Sequence, residues 1–143
     1  MVEGETIERR GSCHCGAVRF LVQMPEVLEP RRCNCSICAM KGAAMVDVPL
    51  AALTIVEGEA MLVVYTFNTH EAQHRFCGRC GIHPFHRTRA EPDKFGINIA
   101  CLEGVDPYAF AEVPVNDGTR HANDHGGVSR VAGVLRFEPA EGR

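Results

Sequence analysis

Apolar residues in this chain recur in short alternating runs, and nowhere in a sustained 3.6-residue helical period. Residues 17–23 (AVRFLVQ) put Val18, Phe20 and Val22 on one face, as a half-buried strand requires. Residues 44–48 and 53–56 are brief apolar runs, and 61–67 (MLVVYTF) is a strand by composition. Between the last two, Glu57-Gly58-Glu59 reads as a hairpin turn. Residues 73–77 lead into a cysteine-bearing turn and 82–87 lead out of it, while 95–100 and 131–138 complete the strands. Helix should amount to a turn or two, near 107–111 or just before Pro49. The polar, glycine-rich stretch 116–127 (NDGTRHANDHGG) predicts an exposed loop. The expectation is a mainly β protein, one domain over residues 1–143.

Composition changes this picture in one respect. Tryptophan is absent and only 6% of residues are aromatic, so the core must be built from aliphatic side chains and could need a metal staple. A net charge of −3, with no basic tail or helix face, argues against nucleic acid and acidic membranes as partners. No apolar run approaches the 18 residues of a membrane span. Residues 1–11 carry no apolar export signal, so a cytoplasmic protein with reduced thiols is expected.

The candidate chemistry lies in the cysteines. Seven of eight fall into three clusters: Cys13-His14-Cys15, then Cys33-Asn34-Cys35-Ser36-Ile37-Cys38, then Cys77-Gly78-Arg79-Cys80. Spacings of two or three residues are metal-ligand spacings. Four sulfurs about 2.3 Å from a tetrahedral zinc lie only about 3.8 Å apart, closer than the roughly 6.7 Å between residues i and i+2 of a strand. Each pair therefore needs a tight knuckle, and Gly16, Gly78 and Gly81 stand where positive φ would be wanted. Disulfides are the competing reading, disfavoured because Cys-x-Cys bridges are strained.

The first and third clusters together supply four cysteines, a closed structural site. Bringing them together closes a loop of about 60 residues at a length-dependent cost of roughly 3–4 kcal/mol, against about 10–16 kcal/mol of apparent binding energy for structural zinc. The middle cluster offers three ligands, the arrangement of catalytic zinc with one exchangeable position. Cys101, His83 or His86 could close it as a fourth ligand, and Cys35 with Cys38 alone could be a redox dithiol releasing metal on oxidation. Arg31, Arg32 and Lys41 flank the cluster and could offset thiolate charge or pair with carboxylates of a ligand. Ser36 could bond a cysteine sulfur. His14 should face away from the metal, His70 and His74 could ligate only from a helix, and His121 and His125 could carry protons from their loop.

These residues carry a family resemblance. Gly11-Ser12-Cys13-His14-Cys15-Gly16-Ala17-Val18, Arg32-Cys33-Asn34-Cys35-Ser36-Ile37-Cys38 with Gly42, and Phe76-Cys77-Gly78-Arg79-Cys80-Gly81 resemble the glutathione-dependent formaldehyde-activating enzyme family, also called centromere protein V-like. The segment 53–67, with Gly58, Leu62 and Tyr65, is similar too, and the likeness runs from about residue 11 to 103. It implies an Mss4-like fold of coiled antiparallel sheets. It also implies a structural zinc on Cys13, Cys15, Cys77 and Cys80 and a second zinc, possessing the catalytic role, on Cys33, Cys35 and Cys38. The implied activity joins glutathione and formaldehyde into S-hydroxymethylglutathione, a carbon–sulfur lyase reaction in reverse. From their position beside the cluster, Arg31, Arg32 and Lys41 could pair with the two carboxylates of glutathione. The alternative is a zinc-stabilised binding module or glutathione carrier with two closed sites. The chain departs from the family pattern at His83 and His86, and has no Trp in 116–127.

Overall fold

A computed structural model describes residues 5–89, 91–120 and 130–141. Among the described residues, eleven strands and one α-helix make up the regular structure, with short 3-10 turns between them. Strands β1 (Thr6–Ser12), β2 (Arg19–Pro25) and β5 (Leu53–Glu57) form an antiparallel sheet in the order β1-β2-β5. A second, five-stranded antiparallel sheet runs β4-β9-β8-β7-β6, from β4 (Met45–Pro49), β9 (Lys94–Asn98), β8 (Phe85–Arg87), β7 (Gln73–Cys77) and β6 (Leu62–Tyr65). The third is small: β11 (Val131–Arg136) pairs antiparallel with β10 (Glu112–Asn116), which pairs parallel with β3 (Arg32–Cys33).

The core forms where the first two sheets face each other. Alternation on β2 buries Phe20, Val22 and Met24 in one row, as their period of two demands. They meet Val46 and Val48 of β4, Phe85 of β8 and Ile97 of β9, while Val18, just before β2, packs on Cys13 and Cys77. Phe20 and Phe85 pack edge to face with centroids 5.6 Å apart, the arrangement aromatic quadrupoles favour. Gly11 makes this possible, since a Cβ there would strike the Phe20 ring.

Three expectations are corrected. Residues 57–59 are no hairpin turn: β5 pairs with β2 and β6 with β7, so the segment crosses from one sheet to the other through Gly58 at φ +80° and a 3-10 turn at Glu59–Met61. The one α-helix, α1 (Ser36–Lys41), lies inside the middle cysteine cluster rather than near 107–111 or before Pro49. Residues 116–119 are not free loop, because Asn116 ends β10 beside Cys33 and Gly118 packs on the cluster. Residues 121–129 of that stretch, with His121 and His125, lie outside the described residues.

Candidate metal centres

The first centre is made by two matching knuckles. Cys13 and Cys15 occupy the turn after β1, and Cys77 and Cys80 the turn after β7. In each, the residue after the second cysteine is a glycine at φ +80°, Gly16 and Gly81. Each closes a turn by donating to the carbonyl of the first cysteine, Gly16 to Cys13 at 3.2 Å and Gly81 to Cys77 at 2.8 Å. Gly78 does not take positive φ; its lack of a Cβ instead clears the Met61 carbonyl. The four sulfurs converge within 4.8 Å, with Cys13–Cys15 at 3.6 Å and Cys15–Cys77 at 3.7 Å. Those lengths match the edge of a tetrahedron about a thiolate-bound ion, about 3.8 Å.

Backbone amides are arrayed on the sulfurs as well: Val18 donates to Cys13 Sγ at 3.3 Å and Arg79 to Cys77 Sγ at 3.3 Å. Cys13 and Cys77 are buried and Cys15 is exposed. His14, between the ligands, is exposed, as strand alternation anticipated. The centre thus bolts the β1–β2 hairpin to the β7 end of the larger sheet.

The second centre has a different construction. Cys33 ends β3, Cys35 is the N-cap residue of α1, and Cys38 lies in its first turns. The helix stops at Gly42, in left-handed conformation, whose N–H bonds the Cys38 carbonyl at 3.0 Å. Asn34 ties the cluster to the turn after β10, its Oδ1 accepting from Gly118 N at 2.7 Å. The three sulfurs lie within 4.8 Å of one another. Without a cation they share protons: thiols of Cys33 and Cys38 donate to Cys35 and draw it down to about 2, while Cys38 is pushed far up by the same neighbours. Only a cation would let all three ionise together.

Among the described residues no fourth His, Cys, Asp or Glu joins this trio. Cys101, weighed as a closing ligand, instead lies toward the first centre, where burial and then the charges of Cys13 and Cys80 push its thiol to about 12. His83 bonds Lys41 and the Arg75 carbonyl, and His86 stacks on His74 and His83. All eight cysteines are free thiols, so the disulfide reading is set aside.

The two centres differ in what surrounds them. The trio lines a cavity of about 390 Å³ together with Arg31, Arg32, Lys41, His74 and His86. A larger cleft, about 770 Å³, touches only Cys13 and His14 of the first centre, and its lining mixes Arg10 and Arg19 with Glu8, Glu57 and Glu103. Arg31 is held by Asp47 at 2.9 Å and Arg32 by the Gly42 carbonyl, so each keeps N–H groups to spare from its five. Sequence reasoning missed one feature. Lys41 bonds His74 Nδ1 and His83 Nε2, each at 3.1 Å, and the only signal was three histidines flanking the 77–80 turn.

Fold and sites define the class: an Mss4-like protein of antiparallel sheets with two cysteine clusters able to hold metal ions. The family model of the glutathione-dependent formaldehyde-activating enzyme matches residues 8–113. The chain belongs to that family. It is 38% identical over 78 residues to a Halomonas elongata protein provisionally named a glutathione-dependent formaldehyde-activating enzyme, a match covering 49% of this chain and 50% of the relative. The chain thus spans about half the length of that curated relative. The crystal structure of a Rhodobacter sphaeroides protein superposes with a TM-score of 0.72 at 42% identity, covering 74% of this chain and 98% of that one.

Proposed function

We propose that this protein is a zinc-dependent carbon–sulfur lyase of the S-(hydroxymethyl)glutathione synthase type, joining glutathione to formaldehyde or a related thiol to an aldehyde. One observation carries the reading: three cysteines able to hold a metal line a cavity rimmed by arginines, with no fourth protein ligand among the described residues. Cys13, Cys15, Cys77 and Cys80 hold a structural zinc, and Cys33, Cys35 and Cys38 the working one. Eight free cysteines suit a cytoplasmic setting, where thiols stay reduced. The shared core of the first two sheets supports treating residues 1–143 as one domain.

Zinc held by the trio supplies, when bound, the acidity that deprotonates a thiol at neutral pH. The rest is done by the chain. Arg31 and Arg32 bind the carboxylates of glutathione through charge-assisted hydrogen bonds. Ile37, Met45, Phe67 and Ala72 line the cavity and keep water from the reacting atoms. The thiol sulfur adds to the aldehyde carbon, the π pair of the carbonyl moves to oxygen, and the proton lost by the thiol ends on that oxygen.

The test is metal analysis combined with turnover. Wild type should carry two zincs, bind glutathione, and form the adduct faster than free thiol and aldehyde do. Cys35→Ser should keep one zinc and the fold but lose at least about 100-fold in rate, the scale expected when a metal's contribution of several kcal/mol disappears. Two zincs indifferent to glutathione, with no acceleration, would instead establish a binding module with closed sites.

A further inference from the structure

Lys41 is the one charged residue on the helix that carries Cys38. It closes α1, three positions beyond Cys38 and therefore on the same face of the helix. Long lysine side chains ordinarily reach for water. This one turns inward, its Nζ 3.1 Å from His74 Nδ1 and 3.1 Å from His83 Nε2.

The direction of both hydrogen bonds can be fixed. His83 Nδ1 is 2.7 Å from the Arg75 carbonyl oxygen. A carbonyl only accepts, so Nδ1 carries the proton and Nε2 is left as an acceptor. Burial, and secondarily the charge of Lys41, hold His83 down to about 3 and His74 to about 4, so both rings are neutral near pH 7. Lys41 is the donor to each. Burial draws the Lys41 ammonium below its ordinary value, and Cys38, Cys35 and Cys33, in that order, oppose the shift. An ammonium has three N–H groups. Two are spent on imidazoles, and one remains for the cavity that Lys41 lines with the three cysteines.

Resting on the thiol–aldehyde reading above, we propose that Lys41 is a further catalytic residue, donating its unspent N–H to the carbonyl oxygen of the aldehyde, with His74 and His83 as positioning residues. Negative charge gathers on that oxygen as sulfur attacks. A divalent ion sharing three thiolates is formally anionic and a weak stabiliser of a second negative oxygen, so the positive charge must come from the chain. A donor already fixed in place needs no reorganisation when the charge appears. This separates Lys41 from Arg31 and Arg32, which meet the carboxylates at the rim.

Two non-reacting ligands differing by that oxygen test the assignment without turnover: S-acetylglutathione and S-ethylglutathione, titrated calorimetrically into the zinc-loaded protein. Wild type should prefer the acetyl compound by about 10- to 100-fold, the range for a hydrogen bond from a charged donor. Lys41→Met should bring the preference close to one, leaving S-ethylglutathione affinity and the zinc content unchanged. In the reaction itself it should lower kcat by a similar factor with KM for glutathione intact. His83→Phe should erode the preference at least threefold, and Lys41→Gln serves if Lys41→Met fails to fold. Equal weakening of both ligands would make Lys41 a carboxylate clamp and overturn the proposal, as would an unchanged preference. If neither ligand binds wild type, the glutathione reading itself falls and takes this inference with it.

Discussion

The two cysteine clusters use the same element and the same spacings, yet their scaffolds differ. The first joins two turns that β-pairing alone leaves apart, each pair of ligands on its own knuckle. The second gathers its ligands from six consecutive residues around one turn of helix, so it closes no long loop and stabilises little beyond itself. A cluster that ties distant segments is worth most to the fold. A cluster built locally can change its ligands without unfolding the protein, which is what a working centre needs.

The sharpest way to break that comparison is Cys77→Ser. Cys77 is fully buried and shared between β7 and the first centre. A structural zinc at this centre would be worth an apparent 10–16 kcal/mol or so, and a domain of this size holds about 5–15 kcal/mol in total. Cys77→Ser should therefore lose cooperative thermal unfolding by circular dichroism, with both metals gone. A folded Cys77→Ser carrying one zinc would show that the first centre is not the structural one.

Glycines sharpen the contrast further, because one packs directly on the second centre and another beside the first knuckle. A Cβ at Gly118 would overlap Cys33 Sγ and come within 2.7 Å of Cys35 Cβ. Gly118→Ala should weaken metal binding at the second centre by about 10- to 100-fold, from the roughly 1–3 kcal/mol cost of overpacking, measured by chelator competition, with the melting temperature nearly unchanged. Gly58 is at φ +80° with the Ala17 carbonyl where its Cβ would go, beside the first knuckle. Gly58→Ala should instead cost about 3 kcal/mol of global stability and leave the second centre's affinity intact. If the two substitutions had the same signature, the division between the centres would not hold.

The parts of this plan that are local in sequence were legible there. Cysteine spacing located both centres, the alternation at Val18, Phe20 and Val22 gave the inner face of β2, and Gly16 and Gly81 marked the knuckles. What escaped depends on distant or short-range geometry. Helix α1 has six residues, too few to show a 3.6 period. Strand β1 (TIERRGS) and β10 (EVPVN, with Pro114) are too polar or too interrupted to announce themselves. The parallel pairing of Cys33 with Asn116 joins segments that no local pattern connects. The histidines were weighed as metal ligands because spacing alone cannot show that His74 and His86 face each other across β7 and β8, or that a lysine stands where an ion was imagined.

The gentlest probe of the difference is acid. The first centre has only the exposed His14 at hand, while His74, His83 and His86 stack near the second, with ring centroids 5.1 to 6.2 Å apart. Burial lowers all three, to about 4 for His74, about 3 for His83, and well down for His86. In the unfolded chain they titrate near 6.5. Below that pH the unfolded state takes up protons that the native state refuses until pH 4 or lower, so by linkage stability must fall with pH. The histidine contribution is complete above pH 6.5 and drains away below it as pH falls through about 4 for His74 and about 3 for His83. Urea unfolding at fixed zinc should show this decline, and the double substitution His74→Phe with His86→Phe should flatten it without altering stability's pH dependence above 7. A decline of equal slope in the variant would assign acid sensitivity to thiol protonation at the metal centres, and the neutral histidine stack would lose its place in the comparison.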